Sequence, residues 1–148
     1  MPRRTALFRR VALETVSATA ASAAALAVLA RLEGRGALQP LNATSHWLNG
    51  EAVARDRAPG WRTTGVGLAT HLAATGFWAA IYEGWLRRGR PAPADVWGKA
   101  LAMGGISALV DYRATPRRFT PGWEFVLTPA AMAVAYAALA AGLAAAAD

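Results

Sequence analysis

The stretch Asp111-Tyr112-Arg113-Ala114-Thr115-Pro116-Arg117-Arg118-Phe119-Thr120-Pro121-Gly122-Trp123-Glu124 decides the reading of this chain. It is charged, aromatic and interrupted by proline, and it joins two long apolar segments. Pro116 and Pro121 push the residues before them, Thr115 and Thr120, out of the helical region, so little of the stretch can be helical. A turn of this kind is expected where one helix leaves a membrane and the next enters it. Arg113, Arg117 and Arg118 present enough donors to bridge Asp111 and Glu124 and still reach a phosphate. The expectation is an arginine clamp on these two acids, approached from the side by His46 or His71. The same arrangement would also fit a lipid phosphate or a small anion.

Outward from this turn, the chain reads as alternating apolar segments and arginine-rich gaps. Hydrophobic residues make up 55% of the 148 positions and charged residues 17%. The apolar residues fall into four segments, at about 9–32, 64–86, 94–112 and 122–147. Each is close to the roughly 20 residues that a helix needs to cross a bilayer. The expected fold is all-α: a polytopic membrane protein forming a bundle of four transmembrane helices, with a short interfacial helix in the loop 33–63. The whole chain, 1–148, is expected to be a single integral membrane domain. An alanine-rich soluble bundle is the competing reading, since mean hydropathy is only +0.23.

The first segment follows a basic head, Arg3, Arg4, Arg9 and Arg10, which is also how a signal peptide begins. Its length and the internal Glu14 favour a membrane helix instead. Ser17, Ala21 and Ala25, with Ala18 and Ser22 beside them, recur every fourth position and would let another helix approach closely. In the following loop, Asn42 or Thr44 is the expected helix N-cap, with Trp47 and Leu48 against the interface. Asn42-Ala43-Thr44 also matches a glycosylation sequon, although a capping role is enough to explain it. In the second segment His71, Thr75, Trp78 and Tyr82 form one stripe, while Gly76, Ala80 and Glu83 form a second that should meet a neighbouring helix. Ala100, Gly104, Ser107 and Asp111 share a face in the third. The fourth is expected to start with Thr120 as N-cap and Pro121 in the first turn, and to kink at Pro129.

The formal charge of +7 comes almost entirely from arginine, Lys99 being the single lysine. These arginines occupy the gaps between apolar segments, where they read as headgroup anchors, and no nucleic-acid partner is expected. Cysteine is absent, which excludes disulfides and thiolate metal sites. The tryptophans at 47, 61, 78, 85, 97 and 123 mostly mark segment ends and read as an aromatic belt.

The remaining polar groups sort into two sets by depth. Glu14, Glu83, Lys99 and Asp95 belong near one face, and because an unpaired charge in hydrocarbon is expensive, Lys99 is expected to pair with Glu83 first and Glu14 second. His46, His71, Asp111, Arg113, Arg117, Arg118 and Glu124 belong near the opposite face. Their spacing matches no metal motif, and His46 is too superficial to share a haem with His71, so neither metal nor cofactor is expected. No phosphate loop, nucleophile elbow or zinc-protease helix is present. Ser45 stands beside His46, but neighbours on a helix point about 100° apart and no acid accompanies them.

The alanine and arginine bias is that of a GC-rich bacterial genome. The expectation is therefore a small bacterial inner-membrane protein, an accessory or structural subunit without catalytic residues, whose partners are the lipid bilayer and either its own copies or a larger membrane complex. One alternative is an oligomeric proton or small-ion transport component using Glu14, Glu83, Lys99, His71 and Asp111. A second is a lipid-acting membrane enzyme using the outer cluster. The arginine count barely separates the two faces, but the four leading arginines meet no acid before Glu14, which favours cytoplasmic termini.

Overall fold

A computed structural model of the chain describes residues 2–88 and 92–147. Arg90 and Pro91, in the gap between the second and third apolar segments, lie outside the described residues. All regular secondary structure among the described residues is helical, with no strand. Four long helices, α1 (Pro2–Leu32), α4 (Val66–Leu86), α5 (Pro93–Leu109) and α6 (Pro129–Ala147), enclose the core. Two short ones, α2 (Gln39–Thr44) and α3 (His46–Asn49), lie in the first loop. Alanine, the best helix former, dominates α1 and α6. Two helical stretches, Thr5–Leu32 and Pro129–Ala147, are long and apolar enough to cross a membrane. Helix α5 has 17 residues but continues without a break into a wider turn, Val110–Ala114. A similar wide turn, Trp61–Gly65, leads into α4.

The small residues sit where the long helices touch. A Cβ on Gly142 of α6 would fall 2.5 Å from Ala18 Cα and 2.7 Å from the Ser17 carbonyl oxygen, so the backbones of α1 and α6 meet there. A Cβ on Gly76 of α4 would lie 3.5 Å from Thr15 Cγ2 of α1, and one on Gly104 of α5 2.9 Å from the Tyr136 carbonyl oxygen of α6. Ala80, expected beside Gly76 at a helix contact, is exposed instead. Close backbone approach lets dispersion act between whole helix surfaces, which matters most where no hydrophobic drive separates helices from solvent.

Two expectations about local structure are corrected. The fourth helix begins at Pro129, and residues 122–128 hold only a short 3-10 turn, Trp123–Phe125. Thr128 acts as its N-cap, since its hydroxyl accepts the Ala131 N–H at 3.4 Å and donates to Glu33 Oε1 at 2.5 Å. Pro129 then takes the first helical position, where its missing N–H has no consequence, and no kink results. The chain between is turned by Gly122, whose φ of 79° and close approach to the Ala43 carbonyl oxygen, 2.5 Å from a built Cβ, exclude a side chain. That turn drives Trp123 into the core, where it is 1% exposed and its indole donates to Thr44 Oγ1 at 3.1 Å.

The first loop is likewise more than a surface helix. Residues 39–46 are mostly buried, and Asn42 is no N-cap. Its amide donates to the Asp56 and Ala58 carbonyls at 2.9 and 3.1 Å and accepts from Thr64 Oγ1 at 2.6 Å. One fully buried amide thus holds a long loop onto the start of α4, because its polar atoms must all be satisfied once out of water.

Candidate functional site

The two polar sets lie apart, one at the end of α4 and one at the turn after α5. In the first, Arg10 from α1 and Arg87 after α4 converge on Glu83 Oε1, at 2.6 and 2.8 Å. Glu83 and Glu14 are both fully buried, and Glu14 lies against Glu83. Glu14 and Glu83 lie within hydrogen-bonding reach of each other, and neither oxygen of Glu14 nor Oε2 of Glu83 has another partner. Lys99 is not part of this cluster: its ammonium rests over the Trp85 ring, 5.8 Å from the centroid. The inward face of α5 runs through Val96, Ala100, Met103 and Ser107, which turns Lys99 aside. The Arg87–Glu83 pair was readable, since the two stand one helical turn apart; Arg10 stands one turn before Glu14 but bonds Glu83 across the helices instead. Asp95 stays at the start of α5 and accepts the Ala92 N–H at 3.0 Å.

In the second set the expected arginine clamp is absent. Asp111 Oδ2 accepts the Tyr136 hydroxyl at 2.6 Å, and Glu124 Oε1 accepts the Thr120 hydroxyl at 2.5 Å. Among the described residues no arginine pairs with either acid. Arg117 instead meets Glu51 at 3.1 Å on the exposed surface, Arg118 donates to the Trp47 carbonyl at 3.3 Å, and Arg113 is exposed. His46 explains the difference, for its ring bridges the Ala43 carbonyl oxygen at 2.9 Å and the Arg117 carbonyl oxygen at 3.1 Å. This contact pins the turn to α3 by its backbone and sends both arginine side chains along the outside. The Tyr112 hydroxyl and Glu124 Oε2 lie close together, buried and without a hydrogen bond of good geometry.

Between this turn, α2, α3 and the helices α4 and α6 lies a cavity of about 320 Å³. That volume is at the small end of the range for ligand pockets. Its apolar wall is Trp47, Trp78, Phe119, Trp123 and Leu139, and His71, Thr75 and Asp111 supply polar groups. The rings are held in place: Trp47 Nε1 donates to Thr70 Oγ1 at 3.2 Å, and His71 meets Trp123 edge-on with centroids 5.5 Å apart. Trp78 and Trp123 are therefore core residues, a correction to their placement in an interfacial belt; Trp61 and Trp97 do lie exposed.

A serine–histidine pair is present, but it is Ser22 with His71, 2.8 Å apart, from helices the sequence keeps far apart. Ser22 donates to the Ala18 carbonyl at 2.7 Å, is completely buried and does not line the cavity, so its hydroxyl has no route to a substrate. Ser45 donates to the Asn42 carbonyl at 2.7 Å and is not bonded to His46. Among the described residues no three His, Asp or Glu side chains converge as metal ligands. The arrangement offers binding surfaces and buried carboxyls; among the described residues neither serine beside a histidine faces the cavity. No known protein family, curated protein or solved structure matches this chain.

Proposed function

We propose that the chain is a four-span bacterial inner-membrane protein with cytoplasmic termini, working as a non-catalytic subunit of a larger membrane assembly. The observation that carries this reading is the inverted distribution of polarity. Leu13, Val16 and Val28 on α1, Phe77 and Ile81 on α4, and Leu101 and Leu109 on α5 are exposed. Glu14, Glu83, His71, Thr75 and Ser107 are buried. A water-soluble bundle of this size would normally bury the first group and expose the acids. Counted with their adjoining wide turns, α4 and α5 run over residues 61–86 and 93–114, long enough for a bilayer of ~30 Å.

Gly84, Gly98 and Gly105 favour a subunit in an assembly. Nothing lies within 4 Å of a Cβ built on any of them, so these small residues serve no contact inside the bundle. A transport role for the single chain is disfavoured by what separates the two polar ends. Glu83 and His71 are about 18 Å apart along α4, and Ala18, Ala79, Leu139 and Leu143 fill the space between. The test is native mass spectrometry of the tagged chain released from bacterial membranes, after alkaline carbonate washing, with a reporter fused to the C-terminus. A heteromeric complex in the pellet with a cytoplasmic reporter is expected. Release into the wash would overturn the membrane reading, and a bare monomer or homodimer the subunit reading.

A further inference from the structure

The cavity beneath the turn carries groups that the fold itself leaves unused. Thr75 is 1% exposed, lines the cavity, and its hydroxyl has no partner. A buried helical threonine ordinarily bonds back to the preceding turn, as Thr70 does to the Val66 carbonyl at 2.8 Å. Leaving that hydroxyl unsatisfied is unfavourable unless something else takes it up. Asp111 lines the same cavity, and Glu124 stands close enough for the two charges to repel. Neither acid has a cation beside it among the described residues, although the chain carries a net +7 and three arginines lie between them in sequence.

The walls narrow the occupant further. Trp47, Trp78, Phe119 and Trp123 surround the space, and aromatic rings with a carboxylate are the setting in which alkylated ammonium groups are recognised. An anion would be repelled by Asp111. An inorganic metal ion would lack a ligand set and would leave the aromatic wall unused. A neutral hydrocarbon would leave both Asp111 and Thr75 facing an apolar surface.

We propose that this cavity binds an organic cation, an alkylated ammonium group with an apolar body, held between the Asp111 carboxylate and the tryptophan wall with Thr75 serving its polar substituent. The same chemistry is offered by a free hydrophobic amine and by the choline headgroup of a lipid. The proposal does not depend on the subunit reading above, because it concerns one chain by itself.

The test uses the full chain in nanodiscs of phosphatidylglycerol, titrated with protonated N,N-dimethylbenzylamine and followed by tryptophan fluorescence. Isobutylbenzene, which has the same shape without the charge, is titrated in parallel. Saturable binding of the amine is expected, at least roughly tenfold tighter than the hydrocarbon, and lost in Asp111→Asn. Equal affinity for the two compounds, or no saturable change with the amine, overturns the proposal. That comparison is made on the unaltered chain and so holds even if the Asp111 variant misfolds. Phosphatidylcholine added to the nanodiscs separates the sources: competition supports a lipid headgroup as occupant, and its absence supports a free amine.

Discussion

The two polar regions of the molecule, around Glu83 and around Asp111, treat their acids in opposite ways. At the Glu83 end, Arg10 of α1 and Arg87 from the turn closing α4 reach one buried carboxylate at 2.6 and 2.8 Å. At the Asp111 end, acids surrounded by arginines in sequence are met only by hydroxyls, from Tyr136 and Thr120. Nearness in sequence decides ion pairing only where helical geometry sets the direction, as for Arg87 one turn after Glu83. Arg10 lies on a regular helix and Arg87 closes the end of another, one turn after Glu83, so their positions fix the direction in which they point. Arg113, Arg117 and Arg118 lie on a turn whose backbone is set by Gly122, Pro116 and the His46 contact, and their side chains follow it outward. A buried charge kept with its partners stabilises a unique packing, while one kept without them is a group available to a ligand.

The contrast can be broken most forcefully at the Glu83 end. Changing Arg10 and Arg87 together to Met should destabilise the fold by about 3–5 kcal/mol, because it leaves a fully buried carboxylate without a cation. Changing Arg117 and Arg118 together to Met should shift stability by less than about 1 kcal/mol, since the Arg117–Glu51 pair is exposed on both sides. Unfolding in mixed micelles, read by circular dichroism, compares the two. Equal losses would mean that the turn arginines are structural after all.

A smaller effect sharpens the picture inside the first cluster. Glu14 presents two oxygens with no other partner to a Glu83 that has one of its own. Glu14→Gln supplies an N–H donor toward that oxygen and removes a repulsion, so stability should stay within about 1 kcal/mol of the parent or rise. Glu83→Gln leaves Arg10 and Arg87 with a weaker acceptor and should cost about 2 kcal/mol. The same unfolding assay decides; a Glu14 variant losing more than the Glu83 variant would show that Glu14 is the arginine-bound acid.

How much of this was legible beforehand follows from the range of the interactions. The helical class, the small-residue contacts through Ala18 and Gly104, and the buried stripe of His71, Thr75, Trp78 and Tyr82 rest on periodicity along one helix, which a sequence displays directly. The start of the last helix was misplaced because Thr120-Pro121 and Thr128-Pro129 carry the same local signal. Only the burial of Trp123 between α2 and α6 selects the second. The Ser22–His71 bond and the cavity were not legible, since each joins segments whose register depends on the whole packing. The clamp failed for a related reason: a side chain's reach can be read from its formula, whereas its direction depends on a backbone that tertiary contacts fix.

Lys99 gives the smallest expected effect and the cleanest separation between the two ways of reading a charge. If it were the partner of Glu83 or Glu14, its replacement by Met would strand a buried carboxylate and cost about 3–5 kcal/mol. It lies instead partly exposed above the Trp85 ring at 5.8 Å, while Glu83 already holds two guanidinium groups. A cation on an aromatic face at such a site contributes about 0.5–1 kcal/mol, and Met retains much of the apolar stem's packing on the indole. Lys99→Met should therefore change stability by no more than about 1 kcal/mol. It should also leave the loss caused by the Arg10 and Arg87 double change unaltered, because the two sites share no partner. Measured additivity within about 0.5 kcal/mol is the expected result; strong coupling between Lys99 and the arginines would place the lysine back in the acid cluster.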